Sequence, residues 1–60
     1  MKHYCLTAFE RNGHMLLNLT FQAKSDTEAR QIALKKLSEQ NFTQNSYRCT
    51  TSQGDLILFK

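Results

Sequence analysis

Asn12-Gly13 stands between two stretches of alternating apolar residues, and this one feature constrains the fold more than any other. Asn-Gly is favoured in two-residue hairpin loops of type I′, where both central positions need φ > 0. Such a loop pairs Arg11 with His14 and fixes every pair beyond it: Ala8 with Leu17, Leu6 with Leu19, Tyr4 with Phe21 and Lys2 with Ala23. The side-chain pattern is an independent signal. Met15, Leu17, Leu19, Phe21 and Ala23 are apolar at period two, and so are Tyr4, Leu6 and Ala8. The register set by the turn puts both apolar sets on one side of the sheet. A slip of one residue would separate them. Turn chemistry and burial pattern therefore agree.

A helix is predicted to begin near Ser25. Ser25-Asp26-Thr27-Glu28 reads as a capping box, in which Ser25 accepts from the Glu28 N–H and Glu28 reaches back. Asp26 and Glu28 also suit the positive end of the helix dipole. Ala29, Ile32, Ala33 and Leu37 form the apolar stripe, with Leu34 on its flank. Asn41 suits the left-handed position after the helix, which lets Phe42 fold back on Leu37 in a Schellman motif.

A second hairpin is predicted over Tyr47–Thr51 and Leu56–Lys60, around Ser52-Gln53-Gly54-Asp55. A two- or four-residue loop pairs Thr51 with Leu56 and Cys49 with Leu58. Tyr47, Cys49, Leu56 and Leu58 then face the helix. The last strand is apolar on both faces, a pattern that suits a central strand. It is therefore expected beside the first strand, in the spatial order second, first, fourth, third. The chain reads as a single ββαββ domain over residues 1–60, of the α+β class, with a four-stranded antiparallel sheet and one helix on one face. The expected core is Tyr4, Leu6, Ala8, Leu17, Leu19, Phe21, Ile32, Ala33, Leu37, Cys49, Leu56 and Leu58.

Composition sets the outer bounds. Sixty residues allow one domain. A hydrophobic content of 40% with 22% charged residues is too apolar for a disordered tail. The longest apolar run, Leu56-Ile57-Leu58-Phe59, is far short of the roughly 20 residues that span a bilayer. Met1-Lys2-His3 is not followed by the apolar core of a signal peptide, so a cytoplasmic setting is expected. The two cysteines, Cys5 and Cys49, are then expected to stay reduced. The net charge of +3 is scattered along the chain and permits weak nucleic-acid binding without implying it.

One helix leaves a sheet face open. The register places Cys5, Phe9, Leu16, Ile57 and Phe59 there, among His3, Thr7, Asn18, Thr20, Gln22, Arg48 and Thr50. Phe9 and Leu16 should lie opposite each other. An apolar cluster of a few hundred Å² approaches the size at which patches mark interaction sites. The expected function is a non-enzymatic interaction module. It would self-associate as a homodimer or bind a protein partner through Phe9, Leu16, Ile57 and Phe59. The plainer reading is that scattered apolar side chains on a sheet carry no function. A further reading uses the same face to stack nucleic-acid bases on Phe9 and Phe59 beside Arg48 and Lys60. Against it, no RNP-like motif is present and the basic residues do not cluster.

No catalytic, metal or cofactor pattern emerges, and no small-molecule substrate is suggested. His3, Cys5, His14 and Cys49 are nominal zinc ligands, yet His14 lies at the turn and His3 eight residues away along the strands, roughly 26 Å at about 3.3 Å per residue. Cys5 and Cys49 fall on opposite faces. His3 and Cys5 point the same way, about 6.6 Å apart along one strand, with no third group to complete a nucleophilic site. Glu10, Asp26, Glu28, Glu39 and Asp55 have ready roles at caps, turns and strand ends. The Asn18-Leu19-Thr20 and Asn41-Phe42-Thr43 sequons carry no weight without secretion.

The opening Tyr4-Cys5-Leu6-Thr7-Ala8-Phe9-Glu10-Arg11-Asn12-Gly13 and the ending Arg48-Cys49-Thr50-Thr51-Ser52-Gln53-Gly54-Asp55-Leu56-Ile57-Leu58-Phe59, with the Thr27-Glu28-Ala29 helix start between them, resemble the YhzD-like family. These are short, uncharacterised proteins of Bacillus-type bacteria. The resemblance spans essentially the whole chain. It implies a bacterial, cytoplasmic setting and brings no activity, cofactor or site residue.

Overall fold

A computed structural model describes residues 1–60. Its elements are β1 (Lys2–Phe9), β2 (Met15–Ala23), α1 (Asp26–Glu39), β3 (Ser46–Thr51) and β4 (Leu56–Phe59). The strands form one antiparallel sheet in the order β2-β1-β3-β4. The small α+β fold read from the sequence is therefore present, but β3, not β4, lies beside β1. The helix explains why. Its 14 residues extend about 21 Å, which returns the chain to the end of the sheet where β2 began. β3 starts there, with Ser46 opposite Phe9, and so runs antiparallel to β1. The strand after it would run parallel to β1 and falls to the edge instead.

In the body of the first hairpin the pairs are those that the pattern predicts: Ala8 with Leu17, Leu6 with Leu19, Tyr4 with Phe21, Lys2 with Ala23. The bend itself is different. Glu10 N–H donates to the His14 carbonyl at 2.7 Å, and Gly13 N–H donates to the Glu10 carbonyl at 2.9 Å. Arg11-Asn12-Gly13 thus make a three-residue loop, in which Gly13 alone has positive φ, at +88°. A type I turn followed by a left-handed glycine is the next commonest hairpin connection. The extra loop residue is absorbed by a bulge that leaves Leu16 unpaired and sets Phe9 opposite Met15. The expected Arg11–His14 and Phe9–Leu16 pairs are not formed.

The second hairpin repeats the device. Thr51 N–H donates to the Asp55 carbonyl at 2.8 Å, and Gly54 N–H to the Thr51 carbonyl at 3.0 Å. Gly54 has φ +90°, and a bulge leaves Ile57 unpaired between the Cys49–Leu58 and Thr50–Leu56 pairs. The Cys49–Leu58 pairing is as expected; Leu56 faces Thr50 instead of Thr51.

Both helix caps form. Ser25 Oγ accepts from the Glu28 N–H at 3.2 Å, while Glu28 Oε1 takes the N–H of Lys24, one residue before the cap, at 3.1 Å. At the other end Phe42 N–H donates to the Leu37 carbonyl and Asn41 N–H to that of Ser38. Asn41 has φ +62°, which completes the Schellman motif.

Tyr4, Leu6, Ala8, Ala23, Ala29, Ala33, Leu37 and Cys49 are buried. Ala29 and Ala33 present so little bulk that the helix can settle close to the sheet. Leu17, Leu19, Phe21, Ile32 and Leu58 pack against this core while partly exposed, the three β2 residues because β2 is a sheet edge. Leu56, expected inside, is 48% exposed. The bulge at Ile57 reverses the facing of every residue between it and the turn. Met15 is turned outward in the same way, at 49% exposed.

Candidate functional site

The open face is built by alternation. Tyr4, Leu6 and Ala8 point to the helix side, so Cys5, Thr7 and Phe9 point away. Their partners follow them: Thr20 and Thr50 flank Cys5, Asn18 and Arg48 flank Thr7, Met15 and Ser46 flank Phe9. On β4, Phe59 pairs with Arg48 and Leu56 with Thr50, which puts both on this side.

Phe9, Arg48, Leu56 and Phe59 line one shallow hollow together with Ser46, Tyr47 and Lys60. Phe59 is the most exposed apolar residue of the group, at 69%. Phe9 is half-buried. Of the other two expected residues, Ile57 packs against the core. Leu16 is the half-buried, unpaired residue of the first bulge. Leu56 stands where the alternation placed Ile57. Both shifts have one cause, a three-residue loop in place of the even-numbered loop expected.

The face is electrostatically one-sided. None of the five carboxylate residues lies on it: Glu10 and Asp55 are at the turns, and Asp26, Glu28 and Glu39 are in the helix. Arg48 is its cation. Lys60 borders the hollow, but its Nζ donates to the Thr43 carbonyl at 2.9 Å. Arg48 also offers its carbonyl to Thr7 Oγ1, at 3.4 Å.

Under the helix, Tyr4 stacks on Phe21 with ring centroids 5.7 Å apart. Its hydroxyl donates to Asp26 Oδ1 at 2.7 Å. The bond to a neighbouring carboxylate, with burial, pushes the phenol up from 10.0 to about 12. Burial likewise pushes the Cys49 thiol up to about 11. The Tyr4 hydroxyl ties strand to helix, and both groups are held protonated. Cys5 turns its thiol toward Asn18 Oδ1, 3.9 Å away, not toward His3. A second hollow, lined by Lys2, His3, Asp26, Thr51 and Asp55 among others, is polar and open. No group of three or more His, Cys, Asp or Glu side chains is arranged to hold a metal. No helix is long and apolar enough to cross a membrane.

A compact ββαββ chain with an open sheet face free of Asp and Glu matches the family model described as YhzD-like protein over residues 1–60, and the chain belongs to that bacterial family. The uncharacterised protein YhzD of Bacillus subtilis (strain 168) is 32% identical over 59 residues, covering 98% of this chain and 97% of the relative. No solved structure matches the chain.

Proposed function

We propose that this chain is a non-enzymatic, cytoplasmic interaction module that binds a protein partner through the hollow formed by Phe9, Arg48, Leu56 and Phe59. The observation that carries the reading is the exposure of Phe59 and Leu56 on a face the single helix cannot cover, around a cation and without any Asp or Glu side chain. An apolar anchor beside an arginine is the composition that dominates binding energy at protein interfaces. The matching partner surface presents an apolar side chain next to Asp or Glu. Two free cysteines, one on each face of the sheet, agree with a reducing compartment.

The test is Phe59→Asp in a two-stage measurement: recovery of a partner on immobilised chain, then titration of that partner in purified form. The wild-type chain retains it, and Phe59→Asp loses at least about tenfold in affinity with an unchanged circular dichroism spectrum. A partner bound equally well by both removes this reading. A second reading, base stacking on Phe9 and Phe59 about Arg48, rests on the same placement of an arginine between two phenylalanines. It requires affinity for single-stranded nucleic acid that falls steeply with salt. A flat salt series in gel-shift titration removes it.

A further inference from the structure

The two edges of the sheet are unlike, and the difference points to a partner that the open face does not involve. β4 is an edge of four residues, Leu56–Phe59, with Lys60 directly after it. β2 is an edge of nine, Met15–Ala23, and contains no Pro and none of the Lys, Arg, Asp or Glu residues. Charges, Pro and short length are the usual ways a sheet edge is kept from pairing with another chain. β2 has only the bulge at Leu16, at one extremity.

The backbone direction of the edge follows from one bond. Ser52 N–H donates to the His3 carbonyl at 3.1 Å, so His3 bonds toward β3. Antiparallel strands alternate the side to which successive residues bond. Cys5 and Thr7 therefore also bond toward β3, and Tyr4, Leu6 and Ala8 bond toward β2. On β2 this leaves Asn18, Thr20 and Gln22 with N–H and C=O groups aimed off the sheet.

We propose that β2 is a self-association edge: it pairs antiparallel with β2 of a second copy about a two-fold axis at Leu19, joining two 4-stranded sheets into one. The sequence of the strand is self-complementary in that register. Leu17 meets Phe21 of the partner copy, Leu19 meets Leu19, and Asn18 meets Thr20. The first set is the row left half-exposed beside the core, and a second copy covers it with the same row. On the other side the Asn18–Thr20 pairs are polar and uncharged, so no like charges meet across the axis. A two-fold contact of this kind is closed. Specific interfaces bury about 600 Å² per partner at the least, against 4219 Å² for the whole chain. A single shared edge falls at or below that size, so the dimer is reversible and concentration-dependent.

Sedimentation of the whole chain over a wide concentration range tests this. The expected mass climbs from 7.0 kDa toward twice that value. The double variant Asn18→Lys/Thr20→Lys places Lys opposite Lys at both polar pairs. It weakens association at least tenfold and leaves the fold intact, because both side chains are exposed. Phe59→Asp leaves the dimer unchanged. Amide exchange at Asn18 and Thr20 slows as concentration rises. A chain that stays monomeric throughout overturns the proposal, as does a dimer indifferent to the double variant. A dimer lost in Phe59→Asp overturns it too and moves self-association to the open face.

Discussion

Gly13 and Gly54 occupy the same position in their two hairpins, and the residues after each obey the same rule. His14-Met15-Leu16-Leu17 and Asp55-Leu56-Ile57-Leu58 both run closing residue, outward apolar residue, bulge residue, core-side residue. Met15 and Leu56 are exposed to nearly the same degree, 49% and 48%. What differs is what lies beyond the bulge. After Leu17 the first hairpin continues for six more residues of β2 and delivers Leu19, Phe21 and Ala23 to the helix side. After Leu58 the second ends within one residue. The same bend thus serves a core in one hairpin and a surface in the other. An identical turn fixes the local register, while strand length decides how much of that register becomes buried area.

This comparison can be broken by mutation. The largest asymmetry is expected in the strand bodies. Leu6→Ala, opposite Leu19 and fully buried, should cost about 3 kcal/mol. Leu58→Ala, only partly buried, should cost about 1.5 kcal/mol. Equal losses in chemical denaturation would show that both hairpins contribute alike to the core. The next effect is on pH dependence, and it separates the two hairpins by residue. Tyr4 and Cys49 bind their protons more tightly folded than unfolded, so their stabilisation is present at low pH and disappears as pH rises. For Cys49 the window opens at 9 and closes near 11. For Tyr4 it runs from 10 to about 12. Cys49→Ala should flatten the lower part of the alkaline transition and Tyr4→Phe the upper part. A single unshifted transition in both variants would contradict the burial of these groups.

Smaller and equal effects are expected at the bends. Gly13→Ala and Gly54→Ala each force a side chain into the left-handed region but meet no atom within 4 Å. Both should cost about 1 kcal/mol. A difference beyond experimental error would mean that the two loops are not equivalent. Smallest of all, Met15→Thr and Leu56→Thr should each change stability by no more than about 0.5 kcal/mol. A cost above about 1.5 kcal/mol at either would place that side chain in the core.

Much of this was legible in the residues. The agreement between alternation and turn located the pairs from Lys2–Ala23 to Ala8–Leu17, and the capping residues located both ends of the helix. The loop length was not, because Asn12-Gly13 fits either a type I′ turn or the last two positions of a three-residue loop. Gln53-Gly54 was less ambiguous: it supplies one residue that readily takes positive φ, which favours the longer form. Reading that loop first would have predicted the bulges, the outward turn of Met15 and Leu56, and the packing of Ile57. The error in strand order was within reach as well, since after a returning helix β4 runs parallel to β1 and cannot lie beside it in an antiparallel sheet. The Tyr4–Asp26 bond was not within reach, because no periodicity reports where a phenol meets a helix 22 residues away.

Cys5 and Cys49 lie on opposite sides of one sheet, and only the second is sealed. A thiol-modifying reagent should therefore find one sulfur in the native molecule and the other only after the structure opens. With Cys5 replaced by Ser, the rate at which Cys49 becomes labelled would act as a clock on opening events, kept by the protein itself and needing no attached probe.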